Sequence, residues 1–220
     1  MASELEDLKK LRDITGAGIL DCKKYLVRAS NNLDEAIKLM RSEEGIKADK
    51  KSSRVAAEGV VFYYSTDEVA LLLEINSETD FVAKSDDFIN YVKQTANMIS
   101  ESMFVDYDQL MSSDNETLKN DLEEMRKNYV TKLGENIQIR RFKLFDKKDN
   151  SVIGYTHNNK IGALVVLKNR DEQLSKDICM QIVASNPLGL DESSIDPEVL
   201  ANEKEVYMAE LDKINKKDDI

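Results

Sequence analysis

The stretch EVALLLEINSETDFVAKSDDF, residues 68–88, runs through a strand, a connection and the start of a helix. Its first part, through Ile75, is dense in apolar residues and partly alternating, which predicts a buried strand. Ser85 is placed as an N-cap. Asp86 and Asp87 follow in the first turn, where carboxylates meet the positive end of the helix dipole, and Phe88 is the first residue to be buried. Between them TDFVAK, residues 79–84, puts a carboxylate, a phenyl ring and a valine in what reads as a loop. Phe81 either folds back as a staple under the helix or stands out as an aromatic anchor, the residue type enriched at binding hot spots. Asp80 has the same two readings, as a turn former or as part of a surface. Composition leaves both pairs open.

Upstream, VAAEGVVFYYS (55–65) and EVALLLEINS (68–77) are strand-like runs joined at Thr66-Asp67. Downstream, a helix from about 86 to 103 presents Phe88, Val92, Ala96, Ile99 and Met103 at three- and four-residue steps. A polar helical stretch then leads to NIQIRRFKLF (136–145), a mixed strand with Ile137, Ile139, Arg141 and Lys143 set against Phe142 and Leu144. SVIGYTHNNKIGALVVLKN (151–169) is again strand–turn–strand, and Asn158-Asn159 suits the positive φ of a hairpin turn. DEQLSKDICMQIVAS (171–185) follows as a helix burying Leu174, Ile178 and Ile182. Residues 59–103 and 151–185 thus share the order strand, turn, strand, helix, which predicts two related α+β subdomains with antiparallel sheets.

Residues 4–44 read as three short helices. Leu5, Leu8 and Leu11 form one face, ITGAGI breaks the pattern, and LDCKKYLVRA resumes it through Leu20 and Val27. After SNN, LDEAIKLM carries Leu33, Ile37 and Met40. GIKADKKSSR (45–54) is basic and apolar-poor, a linker by composition. The expected organisation is a three-helix domain (1–45), a linker (46–54), two core subdomains (55–146 and 147–186), and the start of a helical arm (187–220), with a charged helix from about 197.

The net charge of −11 argues against direct nucleic-acid binding, since affinity for phosphates comes from clustered Lys and Arg. It favours a protein partner with a basic surface. Cys22 and Cys179 make no disulfide framework, and MASELEDLKK is unlike a secretory or transit signal. No apolar run approaches the roughly 20 residues that cross a bilayer. These features point to the cytoplasm and away from a membrane.

Candidate catalytic chemistry is sparse. His157 is the sole histidine, and the two cysteines are distant in sequence, so neither a His-rich metal site nor a zinc tetrahedron is expected. A Cys22–His157 nucleophile pair would make a cysteine hydrolase, but Cys22 reads better as a small apolar residue of the bundle. TGAG lacks the preceding strand and the spacing of a phosphate loop and reads as a helix–helix turn. Glu123-Glu124 reads as a solvated helix face. No catalytic residue, metal or cofactor is assigned.

LRDITGAGILDCKKYLVRASNNLDEAIKLMR (11–41) resembles the N-terminal module of the elongation factor Ts family, with its L-R-x-x-T-G-A-G-x-x-D-C-K-x-A-L pattern. The likeness continues through VAAEG (55–59), EINSETDFVAKSDDF (74–88), LGENIQIRRF (133–142) and IGALVVL (161–167). It spans essentially the whole chain in order. The resemblance implies a ubiquitin-associated-like bundle, a core of two subdomains, and exchange of guanine nucleotide on elongation factor Tu, bound in its GDP and nucleotide-free forms. It implies that Thr79, Asp80, Phe81 and Val82 enter Tu's nucleotide domain and disturb its Mg²⁺ and phosphate site. It places Lys9, Arg12, Ile19 and Leu20 on the bundle's Tu-facing surface, although Ile19 and Leu20 read equally as bundle core. His157 lies where the family has H-G-G, in a subdomain that touches Tu's third domain. Asn158-Asn159 replaces those glycines with bulkier residues. The resemblance also implies a final strand and helix beyond the arm, so the second subdomain is expected to be incomplete or the chain to be a fragment. The competing reading is a non-catalytic adaptor that binds a small ubiquitin-like or other protein through its bundle.

Overall fold

Strand β2 (Val69–Ser77) is the centre of an antiparallel sheet, flanked by β1 (Glu58–Ser65) and β3 (Ile137–Asp146). It belongs to a computed structural model that describes residues 2–15, 17–148, 151–169 and 171–215. Val69, Leu71, Leu73 and Ile75 enter the main core. Helices α5 (Asp86–Ser102) and α7 (Glu116–Leu133) close that core with Phe88, Tyr91, Ile99 and Val130, and the short α6 (Tyr107–Ser112) adds Leu110. The hairpin of β4 (Ser151–His157) and β5 (Ile161–Leu167) covers the other face. A methyl group on Gly154 would lie 2.4 Å from the Tyr63 ring, and Gly162 sits against Val61 and Leu72. A strand covered on both sides reads as a continuous apolar run, which is why ALLL interrupts the alternation.

The mixed reading of β3 is explained by one extra residue. Glu74 pairs with Arg141 and Ile75 with Ile139, so Arg140 is a bulge. The bulge shifts the parity of the strand. Ile137 and Ile139 before it, and Phe142 and Leu144 after it, therefore reach the same core. Both arginines meet the Glu74 carboxylate, at 3.5 Å from Arg140 and 2.7 Å from Arg141.

The N-terminal helices are α1 (Ala2–Thr15), α2 (Ile19–Arg28) and α3 (Leu33–Lys51), packed around Leu11, Cys22, Tyr25, Leu26, Ala36 and Met40. The phase expected for α2 is corrected: Cys22, Tyr25 and Leu26 form its buried stripe, while Leu20 and Val27 face out. The expected linker is also corrected. Helix α3 continues to Lys51 and packs against α7, and Ala48, 1% exposed, joins the main core. Among the described residues of this basic segment Ala48 is buried, a feature that composition does not reveal. Two further corrections concern helix faces. Met103 caps α5 in the left-handed region and is exposed, and Leu174 is exposed on α8 (Glu172–Ser185), which buries Ser175 and Cys179 instead.

Residues through Val183 form one compact unit and those from Ala184 a second. In the second, a 3-10 turn at Glu192–Ser194 is capped by Asp191 and precedes α9 (Pro197–Asn215), on which Val206, Tyr207, Met208 and Leu211 are exposed.

Helices α2 and α3 share a polar clasp. Arg28 forks onto the Glu43 carboxylate, and the Tyr25 hydroxyl donates to it at 3.1 Å. The guanidinium holds the Glu43 carboxyl down at about 2. A depressed carboxyl stabilises the fold above its ordinary pKa near 4.5, and this contribution is lost as pH falls toward 2. Glu43→Gln is therefore expected to lower the melting temperature of the bundle at pH 7 and to leave it unchanged at pH 2, as read by amide signals of α2 across a pH series. An equal loss at both pH values would show that the ion pair contributes nothing.

Candidate functional site

Strand β2 leaves the core at Ser77, and the chain then makes a single helical turn, α4 (Asp80–Ala83), where a loop was expected. Thr79 is the reason. Its backbone is extended, with φ −123° and ψ 157°, and its side chain accepts from the Val82 N–H as an N-cap. Ser85 likewise accepts from the Phe88 N–H and starts α5, as the sequence predicts.

The turn has an inner and an outer side. Ala83 is buried in the main core and Val82 packs partly against it. Phe81 is 84% exposed, which removes the staple reading. Asp80 accepts a 2.6 Å hydrogen bond from the Lys84 ammonium, and this bond holds the Asp80 carboxyl below the usual carboxylate range. Of the four residues in the motif, Thr79 and Val82 build the turn, and Asp80 and Phe81 face outward.

Two residues that sequence spacing could not bring forward secure this turn. Helix α7 ends at Gly134, whose φ of 81° favours glycine, and the chain turns back toward β2. Glu135 then accepts from both the Thr79 backbone N–H, at 3.0 Å, and the Thr79 hydroxyl, at 2.6 Å. Next to it, the fully buried Asn136 donates its N–H to Glu78 at 2.7 Å and its side-chain amide to the Ser52 and Arg54 carbonyls, at 3.2 and 2.7 Å. The ends of α3, β2 and α7 are tied together at this point.

The tip of the β4–β5 hairpin lies at the same edge. Asn158 and Asn159 take φ of 51° and 54°, as the sequence predicts, and the Lys160 N–H closes the turn on the His157 carbonyl. The Val61 N–H donates to the Asn159 carbonyl at 2.8 Å, and Lys160 pairs with Glu58 at 2.6 Å. The Lys160 charge also helps hold the Asp80 carboxyl low. His157 is exposed, with Nδ1 3.1 Å from the Tyr155 hydroxyl.

On the bundle, Lys9 and Arg12 are exposed on α1, and Ile19 and Leu20 are 53% and 79% exposed at the start of α2. Neither apolar residue is bundle core. The Cys22 thiol is buried and donates to the Ala17 carbonyl at 3.7 Å, whereas His157 stands on the exposed hairpin tip, so the cysteine–histidine pair is not assembled. Among the described residues no three His, Cys, Asp or Glu side chains converge as a metal site, and no helix is long and apolar enough to cross a membrane.

The fold is an α+β core with an exposed aromatic ring on a capped turn, joined to a helical bundle with exposed apolar residues of its own. The chain belongs to the elongation factor Ts family, whose model, described as Elongation factor TS, matches residues 78–220. An elongation factor Ts from Alkalilimnicola ehrlichii is 40% identical over 222 residues, covering 100% of this chain and 75% of the relative. Those of Methylococcus capsulatus and Pseudomonas entomophila are 38% and 42% identical, covering 92% and 91% of this chain and 70% and 67% of their own. The protein is a translation elongation factor.

Proposed function

We propose that this protein is the cytoplasmic guanine-nucleotide exchange factor of elongation factor Tu, and that Phe81 and Asp80 are the groups that loosen GDP. The observation that carries the reading is the 84% exposure of Phe81 on a turn fixed from below by Thr79, Val82 and Ala83. An exposed phenyl ring on a rigid support loses little conformational freedom on binding and gains most from a pocket on a partner.

A GTPase of this kind holds GDP through a phosphate loop, a helix dipole and Mg²⁺. A phenyl wedge repacks the helix that supports the Mg²⁺ shell without touching nucleotide. Asp80 brings a carboxylate into the same strongly polarised region. Binding and release are reciprocal: the factor by which this protein weakens GDP is the factor by which GDP weakens this protein. Exchange then proceeds catalytically in the factor, with no covalent bond broken, and GTP completes the cycle. Lys9, Arg12, Ile19 and Leu20 supply a second contact surface, and the His157 hairpin a further one, toward Tu's third domain.

Release of fluorescent GDP from elongation factor Tu, with this protein in substoichiometric amounts, tests the reading; multiple turnovers support it and no acceleration sinks it. Division of labour between the two surfaces is tested by Leu20→Asp. Burying that carboxylate at an interface is expected to raise the half-saturating concentration about tenfold, leaving the plateau rate and melting temperature unchanged. A lowered plateau would place Leu20 in the exchange step itself.

A further inference from the structure

We propose that Glu135 is the positioning residue of the exposed turn, setting the direction in which Phe81 and Asp80 leave the core; this rests on the exchange reading above. A helical turn of four residues has no stability of its own, because nucleation costs more than one hydrogen bond returns. The turn at Asp80–Ala83 needs an external anchor, and Thr79 is where it is attached.

The Thr79 hydroxyl carries one proton. Glu135 takes it at 2.6 Å, which leaves an oxygen lone pair for the Val82 N–H at 3.4 Å. The second carboxylate oxygen takes the Thr79 N–H at 3.0 Å. An ionised acceptor makes both bonds stronger than neutral ones. Glu135 is itself held from both sides, since the Gly134 N–H closes α7 on the Val130 carbonyl at 2.9 Å and Asn136 is bonded to Glu78, Ser52 and Arg54. The clamp therefore transmits the position of the rigid core to a turn whose outer ring, Phe81, is 84% exposed, while Asp80 is held besides by Lys84 from the next turn.

Glu135→Ala removes both bonds. In the isolated protein, the Thr79 and Val82 amides are expected to exchange with solvent at least tenfold faster, while those of Leu73 and Ile99 keep their protection. In the fluorescent-GDP assay the plateau rate is expected to fall about tenfold at an unchanged half-saturating concentration, since the docking surfaces remain. Glu135→Gln keeps one acceptor and one donor toward Thr79 and is expected to restore most of the plateau. Combined with Phe81→Ala, Glu135→Ala is expected to cost only the share carried by Asp80, well short of the two losses added together.

Unchanged protection at Thr79 and Val82 would overturn the proposal. So would lost protection with an unaltered plateau, or a loss that adds fully to that of Phe81→Ala. If Phe81→Ala alone releases GDP at the parent rate, the wedge reading fails instead, and amide exchange at Thr79 still decides whether the clamp holds the turn.

Discussion

Replacing Phe81 with alanine is expected to slow GDP release from elongation factor Tu about 30-fold while leaving the melting temperature unchanged. The factor follows from a desolvated aromatic anchor contributing about 2 kcal/mol or more, at 1.36 kcal/mol per tenfold. The stability half follows from the structure. The ring is 84% exposed, and the core side of its turn is made by Ala83 and Val82. Removing an exposed ring from a helical turn opens no cavity and unpairs no polar group, the two routes by which a truncation becomes costly. Both quantities are measured on one sample, by stopped-flow release and by thermal unfolding. A variant with full exchange activity and a lowered melting temperature would falsify the wedge and return Phe81 to a structural role.

Much of the frame was legible before any coordinates, because it is written in local chemistry. Ser85 before Asp86 and Asp87 reads as a cap and is one, and Asn158-Asn159 reads as a turn with positive φ and takes it. Phe88, Val92, Ala96 and Ile99 fall on one helical face and are all fully buried. Three of the misreadings have a common physical source: they depend on a partner far away in sequence. Helix α3 persists through a basic segment because Ala48 meets the main core. The phase of α2 is set by Tyr25 reaching Glu43 as much as by apolar count. The parity of β3 changes at Arg140 because β2 offers no residue opposite it.

The site divides along the same line. Its outward chemistry, Asp80 and Phe81, is contiguous and could be singled out as an aromatic and a carboxylate where burial asks for neither. Its support could not. Glu135 is 56 residues from Thr79, and no local pattern marks it as a clamp rather than as one more surface acid. The helical character of the turn was missed for a related reason: four residues are too few for periodicity to register, so only the Thr79 cap, read together with its anchor, predicts a helix.

The largest effect on stability is expected at Gly59, where β1 enters the sheet opposite Asn76. Its φ of +142° is one that L side chains rarely adopt, and a methyl group there would sit 2.1 Å from the Ile75 carbonyl oxygen and 2.6 Å from the Asn76 Cα. Both atoms are backbone of the central strand, so no side chain can rotate away to make room. Relief requires β1 to lift from β2, and that movement breaks the bond from the Asn76 side-chain amide to the Glu58 carbonyl, now 2.9 Å. Backbone strain contributes about 1–3 kcal/mol and overpacking a similar amount of about 1–3 kcal/mol. Gly59→Ala is therefore expected to cost about 4 kcal/mol. At about 2–4 °C per kcal/mol for a chain of this size, the melting temperature should fall by about 10 °C. The consequence reaches the site, because Asn76 is followed directly by Ser77, Glu78 and Thr79. The folded fraction at low temperature should release GDP more slowly than the parent protein, and the Thr79 amide should lose protection together with those of Glu58 and Val60. A melting temperature within about 2 °C of the parent would mean that β1 accepts a side chain at this entry point, and that the close approach of the two backbones is not what requires glycine.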